Sequence, residues 1–306
     1  MNLPRNAASL TPTEALTTRS LRLVGRSIDA WGARGLREFP WRATRDPWAI
    51  LVAEVLLQQT QAPRIAERYE DLLRDLKTPA ATLALGKGGV LLRWSGLGYN
   101  SRAVRLFNTA TIIVERFGGE VPTSREDLLS LPGIGPYTAA AIEVFAFERD
   151  RAVYDTNVAR VIARAVLGAP TTAVKGWEIA ERMVPPGHGW SYNQSVLDLG
   201  ATICTSRRPL CEQCPLATRC RWRQAGYRDP DPARRTAGTS RPQGAFKGSA
   251  RQARGNVVEA LRGGDLSMED LIATVDPSNE SRVRQAIEGL VVDGIVVVTS
   301  EGVTLA

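Results

Sequence analysis

The chain has 306 residues, 43% of them hydrophobic, and a formal net charge of +7. That length buries one sizeable core with a small domain to spare, and the positive charge favours an acidic partner. No stretch approaches the roughly 20 uninterrupted apolar residues of a bilayer span, which excludes a helical membrane protein.

Residues 1–18 read as a flexible tail with no apolar signal segment, so the chain is expected in a reducing cytoplasm. From 19 to 226 the pattern is almost wholly helical, apolar residues recurring at i, i+3 and i+4. Leu21, Val24, Ile28 and Trp31 mark the first helix. Asp46 caps and Pro47 opens another that runs to about Thr60. Within it, Glu54 is the one charged side chain between positions 48 and 57. A helix apolar on every face is buried, so Glu54 is expected in the core. Burial raises the pKa of a carboxyl group, and an acid still protonated near neutral pH suits general acid catalysis. The structural alternative is an ion pair with Arg42 or Arg45.

Thr123 with Glu126 reads as a capping box before Leu128 and Leu129. The run Leu-Pro-Gly-Ile-Gly-Pro-Tyr-Thr at 131–138 ends one helix at Leu131, turns on Gly133 and Gly135, and starts the next at Pro136. The amides of such a turn and the positive end of the new helix suit a DNA phosphate, so the run reads as a helix-hairpin-helix. The alternative is an ordinary helix–helix turn. Asp155 stands at the N-cap of a helix marked by Val158, Val161, Ile162 and Ala165. Capping accounts for it without any function. A carboxylate just beyond a phosphate-gripping hairpin can also stabilise positive charge at C1′ of a sugar and orient water, and glycoside cleavage uses such a carboxyl pair.

Cys204, Cys211, Cys214 and Cys220 are the four cysteines of the chain, spaced C-x6-C-x2-C-x5-C. Zinc ribbons usually carry two C-x2-C pairs, whereas iron–sulfur clusters accept close but uneven spacings. The spacing favours an iron–sulfur cluster, with structural zinc and disulfides as alternatives. Arg219 and Arg221 beside the last cysteine point towards a polyanion. The only histidine, His188, lies in a Gly-His-Gly loop and reads as solvated. Residues 227–249 read as a linker. Residues 250–306 follow as three short helices (250–262, 267–275, 279–293) and two β-rich runs (295–299, 303–306), a winged-helix-like module. It either reads DNA through Arg282 and Arg284 or is a helical cap that packs on the main domain or on a partner.

Together, the hairpin, the downstream aspartate and the four-cysteine loop resemble the helix-hairpin-helix base-excision DNA glycosylases with a 4Fe–4S cluster. Among these the chain is most similar to the MutY-type adenine glycosylases, which remove adenine mispaired with 8-oxoguanine. The similarity spans about residues 35–225. It rests on Phe-Pro-Trp-Arg at 39–42, Glu-Val-Leu-Leu-Gln-Gln-Thr-Gln at 54–61, Gly-Leu-Gly-Tyr at 96–99, the hairpin, and Asp155-Thr156-Asn157. The resemblance implies a mainly α, two-lobed fold followed by the small C-terminal α/β module. It implies a monomer acting on double-stranded DNA that contains a mispaired base.

The same resemblance assigns roles. Glu54 protonates the adenine ring and assists water, Asp155 stabilises the oxocarbenium-like sugar, Asn157 holds Asp155 and the water, and Tyr137 lines the pocket beside the sugar. Gln59, Thr60, Leu97 and Tyr99 wedge into the duplex and support base flipping. Leu131, Gly133 and Gly135 hold the DNA backbone, and the four cysteines hold a structural 4Fe–4S cluster. Strand-cleaving members resembling endonuclease III carry a nucleophilic lysine where this chain has Tyr137, so a monofunctional enzyme is expected. The chain departs from the usual pattern in having no Nudix-like domain after the cluster. Its nearest rival is a thymine or uracil mismatch glycosylase acting on G·T or G·U, although Gln58-Gln59-Thr60 fits the adenine-directed branch. A non-enzymatic iron–sulfur DNA-binding regulator is a third reading, but it has no use for an acid buried in a core helix.

Overall fold

The computed structural model describes residues 16–236 and 244–306. The expected tail therefore lies outside the described residues up to position 15, and the expected linker does so from 237 to 243. The described chain is mainly helical. It runs through α1 (Thr18–Gly32), α2 (Pro47–Leu57), α3 (Ala62–Asp75), α4 (Pro79–Ala84), α5 (Gly86–Arg93), α6 (Ser101–Phe117), α7 (Arg125–Ser130) and α8 (Pro136–Phe145). It continues through α9 (Thr156–Val161), α10 (Ala173–Met183), α11 (Gly189–Asp198) and α12 (Arg221–Gln224) to α13 (Ala250–Ala260), α14 (Met268–Val275) and α15 (Glu280–Val292). Strands β1 (Val296–Val298) and β2 (Val303–Leu305) close it. No helix of the described residues is long and apolar enough to cross a membrane.

Two compact units result, Met1–Arg37 with Asp150–Thr239 and Glu38–Arg149 with Ser240–Ala306. In the first unit, α1 packs on α10 and α11, with Leu21 and Ile28 on its buried face. Thr17 caps it by accepting from the Ser20 amide. His188 lies in the loop just before α11, exposed to solvent as expected, and its Nδ1 is 2.9 Å from Asp29. Within the stretch read as a linker, Pro232–Arg235 forms a 3-10 turn whose Ala233 is buried, as is Thr236 after it.

The core of the second unit is α2, which packs on α3, α6 and α8. Asp46 caps it through the Ala49 amide, and every residue from Trp48 to Leu56 is buried. Its polar atoms find partners in the core: Trp48 Nε1 donates to the Leu76 carbonyl and the Tyr69 hydroxyl to the Ala49 carbonyl. The helix ends at Leu57, three residues before the sequence suggests, because Gln59 takes a left-handed φ of +58° and the Thr60 amide turns back to the Leu57 carbonyl. The cap of α7 also differs by one residue. Ser124, not Thr123, accepts from the amide three positions on, at Asp127, since Ser-x-x-Asp supplies the same oxygen and first-turn acid.

Helices α13–α15 and an antiparallel β1–β2 hairpin, with Val296 opposite Leu305, form the winged-helix-like module. An isolated antiparallel bridge pairs Leu266 with Val303 on the other edge of β2. The module packs against α5. Arg262 donates to the carbonyls of Leu91 (2.9 Å) and Leu92 (2.8 Å) in the last turn of α5.

Candidate active site and iron–sulfur site

Glu54 is 5% exposed, as the apolar surroundings of α2 require. Arg45, one of the two arginines the sequence offers as its partner, pairs with Glu148 at 2.8 Å. Past the end of α2, the Gln58 side chain donates to the Gly133 carbonyl, which ties this helix to the hairpin. There α7 stops at Leu131, which is buried with Ile134, while Gly133 is exposed at φ +79°. A side chain at Gly133 would have its Cβ 3.0 Å from Arg105 Cδ, besides the backbone penalty of that φ. Gly135 then caps α8, Pro136 takes its first position and Tyr137 its second, half-buried. Two apolar anchors thus hold a turn whose backbone faces outward at a helix N-terminus, a geometry suited to an anion.

Two loops of the same unit carry the residues expected to enter a duplex. Gln59 is exposed and Thr60 half-buried, and Tyr99 is 38% exposed. Leu97 is instead buried at 3%. Gln59 and Tyr99 both adopt left-handed φ values, +58° and +48°, a conformation that costs a non-glycine residue about 1 kcal/mol or more. Between the loops lies Arg102, 3% exposed, which the sequence reading missed. The signal was present: Arg102, Leu106, Thr109 and Ile113 share one face of α6, so an arginine sits in line with buried residues.

In the first unit, Asp155 caps α9. Its Oδ1 accepts from the amides of Asn157 and Val158, both at 2.8 Å, and its Oδ2 from the Asn157 side chain at 2.7 Å. Asn157 Oδ1 accepts in turn from Arg160 (2.7 Å), and Arg160 also donates to the carbonyls of Gly200 and Cys204, both at 2.6 Å. A continuous chain of hydrogen bonds therefore joins the first cysteine to Asp155. Burial pushes the Asp155 carboxyl above its ordinary pKa, against the opposing pull of these hydrogen bonds and of Arg160. Gly200 packs directly on this chain: a Cβ there would lie 2.6 Å from Asn157 Cβ.

All four cysteines are free and line one cavity, walled by Val161, Leu199, Leu216 and Trp222. Among the described residues, no group of three or more His, Cys, Asp or Glu side chains is placed to hold a single metal ion. A lone zinc would need its ligands converging at about 2.3 Å. Four thiols spread around one apolar cavity fit a polynuclear iron–sulfur cluster instead. Burial pushes the thiols of Cys204, Cys214 and Cys220 up, that of Cys214 to about 11, so binding must displace their protons. Arg164 opposes this. Buried at 2% exposure, its Nη1 is 3.6 Å from Cys204 Sγ, its guanidinium lies over Trp222, and Asp231 pairs with it.

Comparison with known proteins agrees with this arrangement. A helix-hairpin-helix motif matches residues 116–142, and the iron–sulfur binding domain of endonuclease III matches 204–220. The adenine DNA glycosylase of Mycobacterium tuberculosis (strain ATCC 25618 / H37Rv) is 37% identical over 299 residues, covering 94% of this chain and 95% of that protein. The thymine-DNA glycosylase of Aeropyrum pernix is 38% identical over 205 residues, covering 64% of this chain and 91% of that protein. A solved thermostable thymine-DNA glycosylase matches with a TM-score of 0.63 at 33% identity, covering 68% of this chain and 99% of that one.

Proposed function

The chain belongs to the adenine DNA glycosylase family, and from that premise we propose that it acts as a monofunctional monomer on adenine opposite 8-oxoguanine or guanine in double-stranded DNA. The activity is hydrolysis of the N-glycosidic bond of adenine, a step of base-excision repair. The observation that carries the proposal is Glu54, an acid 5% exposed in a helix with no other charged residue.

Glu54 donates its proton to the adenine ring as the glycosidic bond breaks, then assists the attacking water. The Asp155 carboxylate stabilises the sugar cation, and Asn157 orients both Asp155 and the water. Tyr137 lines the sugar side of the pocket. With a tyrosine rather than a lysine at 137, no Schiff base forms and the strand stays intact. Gln59, Thr60 and Tyr99 enter the duplex at the vacated position. The hairpin from Leu131 through Gly133 to Gly135 grips a phosphate. When bound, the 4Fe–4S cluster supplies a structural centre held by Cys204, Cys211, Cys214 and Cys220. Arg160 and Arg164 brace the first of these cysteines through its carbonyl and its sulfur.

The substrate test presents duplexes with A opposite 8-oxoguanine, A opposite G, T opposite G and U opposite G, and scores alkali-labile sites. Cleavage confined to the first two supports the reading. Cleavage confined to the last two favours a thymine or uracil mismatch enzyme, to which the chain is similar over about two thirds of its length. Borohydride treatment should trap little covalent adduct; an abundant adduct contradicts monofunctionality.

A further inference from the structure

Arg102 is a buried cation whose hydrogen-bond partners, among the described residues, are carbonyls and one hydroxyl. Nη1 donates to the carbonyls of Val55 (3.0 Å), Leu56 (2.6 Å) and Gln58 (2.8 Å). Nη2 donates to Thr60 Oγ1 (3.1 Å) and to the carbonyls of Leu97 (3.2 Å) and Gly98 (3.1 Å). The guanidinium carbon lies 5.4 Å from the ring of Trp94 and 5.7 Å from that of Tyr99. Three of its acceptors belong to the last turn of α2 and the residue after it, where carbonyls lack helical partners. The rest belong to the two loops in which Gln59 and Tyr99 hold left-handed backbones. Burial lowers the pKa of Arg102 to about 10, so it remains a cation at neutral pH.

Strained non-glycine conformations persist only where their surroundings over-determine them. Here one side chain bonds the residues on both sides of Gln59, bonds the two residues before Tyr99, and faces the Tyr99 ring. Its partners begin at Val55, the residue after Glu54. We propose that Arg102 is a positioning residue that locks the 58–60 and 97–99 loops into a single preformed element, presenting Gln59 and Tyr99 together to the duplex and fixing them relative to the end of the Glu54 helix. This rests on the reading that Gln59 and Tyr99 enter DNA. A lysine cannot substitute. Its ammonium has three donors at one point, whereas the planar fork of Arg102 reaches six acceptors on three segments.

The test uses the full chain with its cluster. Arg102→Lys, Gln59→Ala and Tyr99→Ala are compared with wild type for iron content, circular dichroism and single-turnover excision of adenine opposite 8-oxoguanine. A second duplex carries 2-aminopurine beside a target adenosine with a 2′-fluorine, which destabilises the sugar cation and stops excision. Fluorescence of that duplex at saturating protein reads how far the stack opens.

We expect all three variants to fold and load iron, to lose at least tenfold in excision rate, and to give less than half the wild-type fluorescence rise. The double variant Arg102→Lys/Tyr99→Ala should lose less than the product of the single losses, because the two act as one element. Wild-type behaviour of Gln59→Ala and Tyr99→Ala overturns the underlying reading of the loops. Loss in those two with wild-type excision and fluorescence in Arg102→Lys overturns the inference about Arg102 alone. If Arg102→Lys does not accumulate as folded protein, amide hydrogen exchange of the wild type decides. Protection of the Thr60 and Leu97 amides equal to that of α2 supports the lock, and free exchange there contradicts it.

Discussion

Asn157 gives a side-chain N–H to Asp155 and accepts one from Arg160, so it holds the carboxylate and is itself held. A hydrogen bond to the charged form lowers a carboxyl pKa. Asp155 already sits above its ordinary value because of burial. Asn157→Ala removes one opposing pull and raises it further. On the proposal that Asp155 works as a carboxylate, the acid limb of the rate–pH profile should lie above the ordinary range and move to higher pH in Asn157→Ala. A limb that moves to lower pH, or stays in place, contradicts the role given to Asp155. The burial of Glu54 and the capping by Asp155 were legible in the sequence, one because a charge stands alone in an apolar helix, the other because Asp is a favoured cap. Arg160 was less so, since its partners Gly200 and Cys204 are some 40 positions away and nothing local marks them.

At the level of elements, helix periodicity and turn residues placed the boundaries they marked, around α2, α7–α9 and α13–α15, to within a few positions. The exceptions have local causes: α2 stops early because Gln59 turns left-handed, and α7 takes the neighbouring serine as its cap. The π-helical stretches at Ile162–Leu167 and Leu199–Ile203 left no trace in the pattern, because each is only about one turn long. Both stretches serve the site: the first carries Arg164, and the second carries Gly200 against Asn157. Gly200→Ala must push Asn157 aside. Such overpacking costs about 1–3 kcal/mol, so the urea midpoint should fall, and excision should drop more steeply than binding because Asp155 loses its orientation. A variant with wild-type excision shows that Gly200 is mere packing.

For the whole molecule, the C-terminal module is where sequence left two roles open. Arg282 donates to the Ser249 carbonyl and Arg284 pairs with Glu280, while Arg262 holds the end of α5. Both arginines offered as DNA readers are engaged within the module, and its clearest outward act is support of the segment leading to the 97–99 loop. Arg284→Ala should therefore leave the salt dependence of DNA affinity unchanged. A phosphate contact would reduce the slope by about 1, and that reduction would make the module a DNA reader. The fold class could be read from the chain because helical patterning, hairpin and cysteine loop agree. The grouping of Ser240–Ala306 with Glu38–Arg149 could not, since contacts such as Arg262 to Leu91 join residues 171 positions apart.

The sharpest test is single-turnover adenine release from a duplex with A opposite 8-oxoguanine by Glu54→Gln, measured beside its dissociation constant for the same duplex. A glutamine keeps the shape of the side chain and removes its proton. The predicted result is a rate constant lowered by about 10²–10⁴-fold with duplex affinity little changed. A rate equal to that of the wild type, or a loss explained wholly by weaker binding, would contradict the assignment of Glu54 as the acid.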